Sequence, residues 1–166
     1  MTLIARCCED LIANKNIVLE PTDWLTMTQE RIDLFAEATG DFQWLHVDRE
    51  AAKTGPFGTT IAHGYLSLSL TNYFLLMLLK PENLDWGVNY GVDRVRFPAP
   101  IRQGDQIRAH GVLTAVKPLS AVDVQTTVRM TIDIKGGEKP GCVADTIQRY
   151  SFLPEKTEQP EGVEQV

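Results

Sequence analysis

Between Gly64 and Leu79 the chain is dense in Leu, Tyr and Phe around almost the whole circumference of a helix. A surface helix keeps one polar face, so a helix that is apolar nearly all round must be enclosed by protein or by lipid. Lipid is the poorer choice. The stretch is about 16 residues long, short of the roughly 20 that a span needs, and it carries Ser67, Ser69, Thr71 and Asn72. The rest of the chain therefore has to wrap this rod, and Pro81 is placed to stop it.

The wrapping material lies after Pro81, where the apolar period changes. Residues 87–97, 105–116, 122–134 and 141–152 read as strands. Alternation is clearest at Arg94 and Arg96 against Val95 and Phe97, and along Val122, Val124, Thr126 and Val128. Pro98-Ala99-Pro100, Lys117-Pro118 and Gly136-Gly137 separate them. Such short connections predict antiparallel neighbours, because parallel ones need long crossovers.

The N-terminal half is helical in outline. Leu3, Ile4, Cys7, Cys8 and Leu11 have helical spacing over residues 3–13. Ile17-Val18-Leu19 predicts a short strand. Thr28 is placed to cap a helix from Gln29 to Ala38, with Glu30 in its first turn and Ile32, Phe35 and Ala36 as its buried stripe. Gly40 suits its end, since glycine tolerates the left-handed conformation there. Asp48 is placed to cap a shorter helix through Lys53. The fold class expected is α+β: one long apolar helix covered by an antiparallel sheet, in one domain over residues 1–153. Residues 1–15 form a helical extension, and the Glu-, Gln- and Pro-rich residues 154–166 a disordered acidic tail.

Composition removes several classes of function. The net charge of −6 disfavours nucleic acid, whose phosphates need clustered cations. It leaves room for an anionic small ligand on a local basic patch. The cysteines, Cys7, Cys8 and Cys142, are odd in number and lack a Cys-x-x-Cys pair, which predicts neither a disulfide framework nor a zinc site. A reducing, cytoplasmic setting follows. The N-terminus lacks the basic lead and long apolar run of a signal peptide. No membrane partner is expected.

Chemistry concentrates in two adjacent runs. The first is Thr39-Gly40-Asp41-Phe42-Gln43-Trp44-Leu45-His46-Val47-Asp48. The second is Gly55-Pro56-Phe57-Gly58-Thr59-Thr60-Ile61-Ala62-His63-Gly64, which opens the apolar helix. A carboxylate and an imidazole just past a helix end can grip one water between a proton acceptor and a proton donor. The N–H of Gly64, at a helix start, can stabilise a developing oxyanion. The bland alternative is that Asp41 caps a turn and His46 packs in a loop.

These runs, with Val95-Arg96-Phe97-Pro98-Ala99-Pro100 and Gly104-Asp105 behind them, resemble the MaoC-like family of hotdog-fold (R)-specific enoyl-CoA hydratases. The likeness spans roughly residues 17 to 153, in the expected order, and is strongest to the branch that includes nodulation protein N. It implies reversible addition of water to a trans-2-enoyl thioester, giving the (R)-3-hydroxyacyl product. It also implies catalysis by Asp41 and His46, with Gly64 in the oxyanion hole. Which of the pair is base and which acid stays open, since the two can titrate as a unit. Many members carry Asn-Pro where this chain has Gln43-Trp44, which implies a differently braced loop.

The resemblance further implies a homodimer, because hotdog domains pair sheets edge to edge. No cofactor or metal is expected, since CoA or an acyl carrier enters as part of the substrate. Tyr65, Asn72 and Arg96 are the substrate-binding candidates. Tyr65, Leu68, Asn72, Leu75 and Leu76 lie on the helix, as tunnel wall or plain core, and Asn72 there needs a polar partner. Arg94, Arg96 and Arg102 suit CoA phosphates, or a simple exposed face. His63 is expected to brace the loop or cap the helix rather than to catalyse, and His110 to be structural. Two rival functions on the same fold are a thioesterase and a non-catalytic acyl-CoA-binding module. A dehydratase acting on carrier-protein thioesters shares the chemistry.

Overall fold

The computed structural model describes residues 2–154. The proposed tail from 155 onward lies outside the described residues. In chain order the elements are β1 (Leu3–Ala5), α1 (Cys8–Ala13), β2 (Val18–Leu19), β3 (Leu25–Thr26), α2 (Gln29–Thr39), α3 (Trp44–Val47), α4 (Arg49–Lys53), α5 (Gly64–Leu78), β4 (Leu79–Pro81), β5 (Leu84–Arg96), β6 (Gln106–Pro118), β7 (Asp123–Ile134) and β8 (Cys142–Phe152).

The apolar rod is α5. Leu66, Leu70, Phe74, Leu75 and Leu78 are buried along it. They meet the inward rows of the sheet, among them Ile107, Leu113, Val124, Val128, Met130, Ile132 and Ala144. Burial alternates along β6 and β7, as a sheet with one covered face requires. No helix among the described residues is long and apolar enough to cross a membrane.

The main sheet is antiparallel in the order β2-β6-β7-β8-β5, with β3 also on β6. This corrects one expectation. The short Pro98–Pro100 link does not join neighbours, because β5 lies beside β8 at the far edge from β6. Residues 97–105 cross instead at the head of α5. They are pinned there by Ala62 N–H to Ile101 O at 2.8 Å and Gln103 N–H to Thr60 O at 2.9 Å. The prolines favour an extended crossing rather than a hairpin turn.

Two N-terminal expectations also change. Leu3–Ala5 is a strand, not the first turn of a helix, and it pairs in parallel with β4. That pairing ends α5 at Leu78, ahead of Pro81, because Leu79 and Lys80 turn extended to meet Leu3 and Ile4. Elsewhere the caps are those expected. Thr28 Oγ1 accepts from Arg31 N–H at 3.3 Å, and Gly40 closes α2 at φ 74°. Asp48 accepts from the N–H groups of Glu50 and Ala51. Cys7, Cys8 and Cys142 are free thiols, and burial pushes Cys142 up to about 11.

Candidate active site

The site is assembled where α2 ends, α3 passes and α5 begins. Gly40 in the left-handed conformation gives its N–H to Ala36 O at 2.8 Å, and the chain leaves the helix directly into Asp41. Asp41 is half-exposed, and its Oδ1 accepts from Gln43 N–H at 3.3 Å, a local Asx turn. One helical turn, α3, then carries His46 into the interior at 8% exposure.

His46 is oriented by its surroundings. Its Nδ1 lies 2.8 Å from Ile61 O. A carbonyl only accepts, so Nδ1 carries the hydrogen and the neutral ring presents a lone pair at Nε2. The main chain of the same residue is held by Gln29, whose Nε2 donates to His46 O at 2.7 Å and to Asp33 Oδ1 at 2.7 Å. Thr60 Oγ1 donates to Gln29 Oε1. Buried Gln29 thus ties α2, α3 and the approach to α5 together. Beyond Asp33 on its own helix, its partners His46 and Thr60 lie 17 and 31 positions away, so the sequence does not display that link.

His63 joins the two candidates. It is 3% exposed, and its Nε2 lies 2.9 Å from Asp41 O, so it donates there. Its ring stacks on His46 with centroids 3.7 Å apart and 25° between planes, while Phe35 lies 5.1 Å away, tilted against it. The same Nε2 is 4.0 Å from Asp41 Oδ2. Its Nδ1 is buried without a hydrogen-bond partner among the described residues. His63 occupies the N-cap position of α5 but makes no side-chain cap, so it braces the loop rather than the helix. Asp41, His46 and His63 each offer an atom within 4.8 Å of the others, a convergence that sequence spacing alone does not display.

Gly64 begins α5, so its N–H has no acceptor within the helix. Its Cα sits against the Phe97 ring, where an added Cβ would meet ring carbons at 2.9 Å. Tyr65, 72% exposed, meets Phe97 edge to face with centroids 6.3 Å apart, and these two aromatics flank the helix head. The Gln43-Trp44 departure also finds its reason. The Trp44 ring lies on Gly55, 2.9 Å from where a Cβ would stand, so it props the second run against the first.

The other predicted binding residues are dispersed. Arg94 is not free for phosphates, because its Nε pairs with buried Asp145 at 2.9 Å. Arg129 holds the same carboxylate at 2.7 and 3.0 Å. These bonds keep Asp145 below the usual carboxylate range, chiefly through Arg129. They also secure Arg94 at φ 52°, inside the register shift between Asp93 and Arg96. That irregularity comes immediately before Arg96 and Phe97. Arg96 is exposed and its Nη1 donates to Val95 O at 2.7 Å. Arg102 donates to Phe57 O. Asn72 lies two turns along α5 from Gly64, apart from the triad, and Leu75 is plain core.

The model of the MaoC like domain matches residues 14–133. The 3-hydroxyacyl-thioester dehydratase Z of Mycobacterium tuberculosis is 45% identical over 141 residues, spanning 85% of this chain and 93% of that protein. Nodulation protein N of Rhizobium leguminosarum bv. viciae is 38% identical over 149 residues, spanning 87% and 90%. Among solved structures, the R-hydratase PhaJ1 from Pseudomonas aeruginosa shares the fold with a TM-score of 0.66 at 21% identity, covering 89% of this chain and 86% of that one.

Proposed function

Because this chain belongs to the MaoC-like dehydratase family of hotdog proteins, we propose that it is an (R)-specific hydratase and dehydratase of acyl thioesters. It adds water to trans-2-enoyl thioesters and removes it from (R)-3-hydroxyacyl thioesters. The observation that carries this reading is the convergence of Asp41 and His46 at the head of α5, beside the N–H of Gly64, which has no acceptor within the helix.

The chemistry follows from those positions. Neutral His46 and ionised Asp41 both present acceptors, so a water between them donates a hydrogen to each and turns its lone pair outward. Attack at C3 forms the C–O bond as one of the two takes a proton from the water. The π electrons move toward the thioester oxygen, where the Gly64 N–H and the dipole of α5 stabilise the enolate-like charge. Delivery of a proton from the same pair to C2 completes addition on one face. Dehydration is the reverse. His63 positions the pair through the Asp41 carbonyl and the His46 ring without touching the reacting atoms.

The functional form is a homodimer built on β5. Among the described residues this strand has β8 on one side and no neighbour on the other, and it exposes Trp86, Val88, Tyr90 and Val92. A long, apolar, unpaired edge is a template for another strand, and a second copy brings the same edge. Sedimentation of the wild type should give twice the chain mass, and Val92→Lys should shift it toward the monomer. A monomeric wild type refutes the dimer.

Crotonyl-CoA tests the activity. Loss of enoyl absorbance without release of thiol, with only the (R)-3-hydroxy product on chiral analysis, is the expected result. Released thiol would make the protein a thioesterase. Binding without turnover would make it a carrier module.

A further inference from the structure

His46 can take a proton from water in only one neutral tautomer. A lone pair at Nε2 requires the hydrogen on Nδ1, and the group that keeps it there is the carbonyl of Ile61, 2.8 Å away. Ile61 lies outside α3, so the tautomer depends on how residues 60–62 are seated against that helix. On the far side this segment is fixed by the crossing chain, through Gln103 N–H to Thr60 O and Ala62 N–H to Ile101 O. Toward α3 it is held by Ile61 N–H to Leu45 O at 3.0 Å and, through side chains, by Gln29.

Gln29 opens α2 and is 5% exposed. Both hydrogens of its amide are committed, to His46 O and to Asp33 Oδ1, each at 2.7 Å. Two acceptors at the nitrogen end fix which way the amide faces. Its Oε1 therefore meets Thr60, a residue 1% exposed, whose hydroxyl donates to it. His46 O is one of the last carbonyls of a one-turn helix, which have no partners within it. The bonds close a ring. They run from the His46 main chain through Gln29 and Thr60 to Ile61, and return through the Ile61 carbonyl to the His46 side chain. An apolar side chain of the same length would fill this position without desolvating an amide. What the amide adds is direction.

We propose that Gln29 is a positioning residue for the hydration reaction. It holds the Ile61 carbonyl on Nδ1 of His46 and so keeps Nε2 free to accept a proton. The proposal rests on the hydratase reading above. With the bridge cut, residues 60 and 61 loosen from α3 and the Nδ1 hydrogen loses its fixed acceptor. The hydrogen then sits on Nε2 in part of the population. That form turns a donor toward the water and cannot take its proton. Gln29 itself touches no reacting atom, so its loss falls on kcat rather than on substrate binding.

Two variants of the intact protein test this. Gln29→Met keeps the length and removes the amide, and Thr60→Val keeps the shape and removes the hydroxyl. The readouts are crotonyl-CoA hydration and the ring 15N shifts of His46 above the usual imidazole range, assigned by their loss in His46→Gln. The wild type should show the hydrogen on Nδ1. Gln29→Met should mix in the Nε2–H form and lower kcat by about 10- to 100-fold, as small misplacements of a reacting group do, with KM little changed. Thr60→Val should act the same way to a smaller extent. It should add little in the Gln29→Met background, because both changes open one ring. If Gln29→Met does not fold, Thr60→Val decides by the same two readouts. A kcat near the wild-type value, or a fall in kcat with the His46 tautomer unchanged, overturns the proposal and leaves the hydratase reading standing. A wild type inert toward crotonyl-CoA overturns both.

Discussion

Two carboxylates, Asp41 and Asp145, show how differently one fold treats the same group. Asp145 is buried on β8, and both its oxygens are taken by Arg129, with Arg94 added at 2.9 Å. Asp41 is half-exposed, holds one N–H at 3.3 Å, and has an imidazole 4.0 Å from its other oxygen. The first is saturated, so it can only hold structure. The second keeps acceptor capacity to spare beside two histidines, so it can engage a water. Unspent hydrogen-bonding capacity, more than burial, separates the chemical site from the structural one.

The largest expected effect breaks the Asp41 side of that contrast. Asp41→Asn and His46→Gln should each cut turnover by at least about 100-fold, as removal of an acid–base group does. Melting temperature should stay near the wild-type value. Near-normal rates in both would remove the assignment.

On the Asp145 side the loss should fall on stability, and unequally. Removing both Arg94 and Arg129 leaves a buried charge without partners, which costs about 3–5 kcal/mol in denaturant unfolding. Asp145→Asn should cost less, about 1–3 kcal/mol, because the guanidinium groups left behind still reach solvent, Arg94 largely and Arg129 in part. Equal losses would contradict the reasoning. The pH dependence has a defined sign. Asp145 sits below its ordinary value when folded, so its contribution is complete above the usual carboxylate range and fades as pH falls through the folded value. Wild-type stability should therefore drop more steeply than that of Asp145→Asn on acidification below about pH 4.

The smallest effect sharpens the role of His63. His63→Phe keeps a ring against His46 but removes the donor to Asp41 O. Turnover should fall about tenfold, roughly the 1–1.5 kcal/mol of one hydrogen bond, with KM little changed. A loss as large as that of His46→Gln would make His63 catalytic rather than positioning.

The parts that were legible in the chain are those set by local chemistry. The Thr28 cap, the Gly40 stop, the Asp48 cap and the apolar rod from Gly64 all follow from residue type and period, and the structure has them. The long strands were equally readable, to within a few residues. Leu3–Ala5 reads as helix in the sequence because a three-residue strand is too short to show a period, and its partner lies beyond α5. The link at Pro98–Pro100 reads as joining neighbours although it does not, because a short link specifies distance and not which edge the next strand joins.

The sequence by itself determined that an apolar helix would be wrapped by a sheet, and that a carboxylate and an imidazole would stand near its start. Propensity, capping and periodicity act over a few residues, so they are written in order along the chain. Only the tertiary structure decided the rest. It stacked His63 on His46, drew Gln29 to Thr60 and gave Arg94 to Asp145. Each of those pairings spans many residues, and its energy exists only once packing has brought the partners together and excluded water.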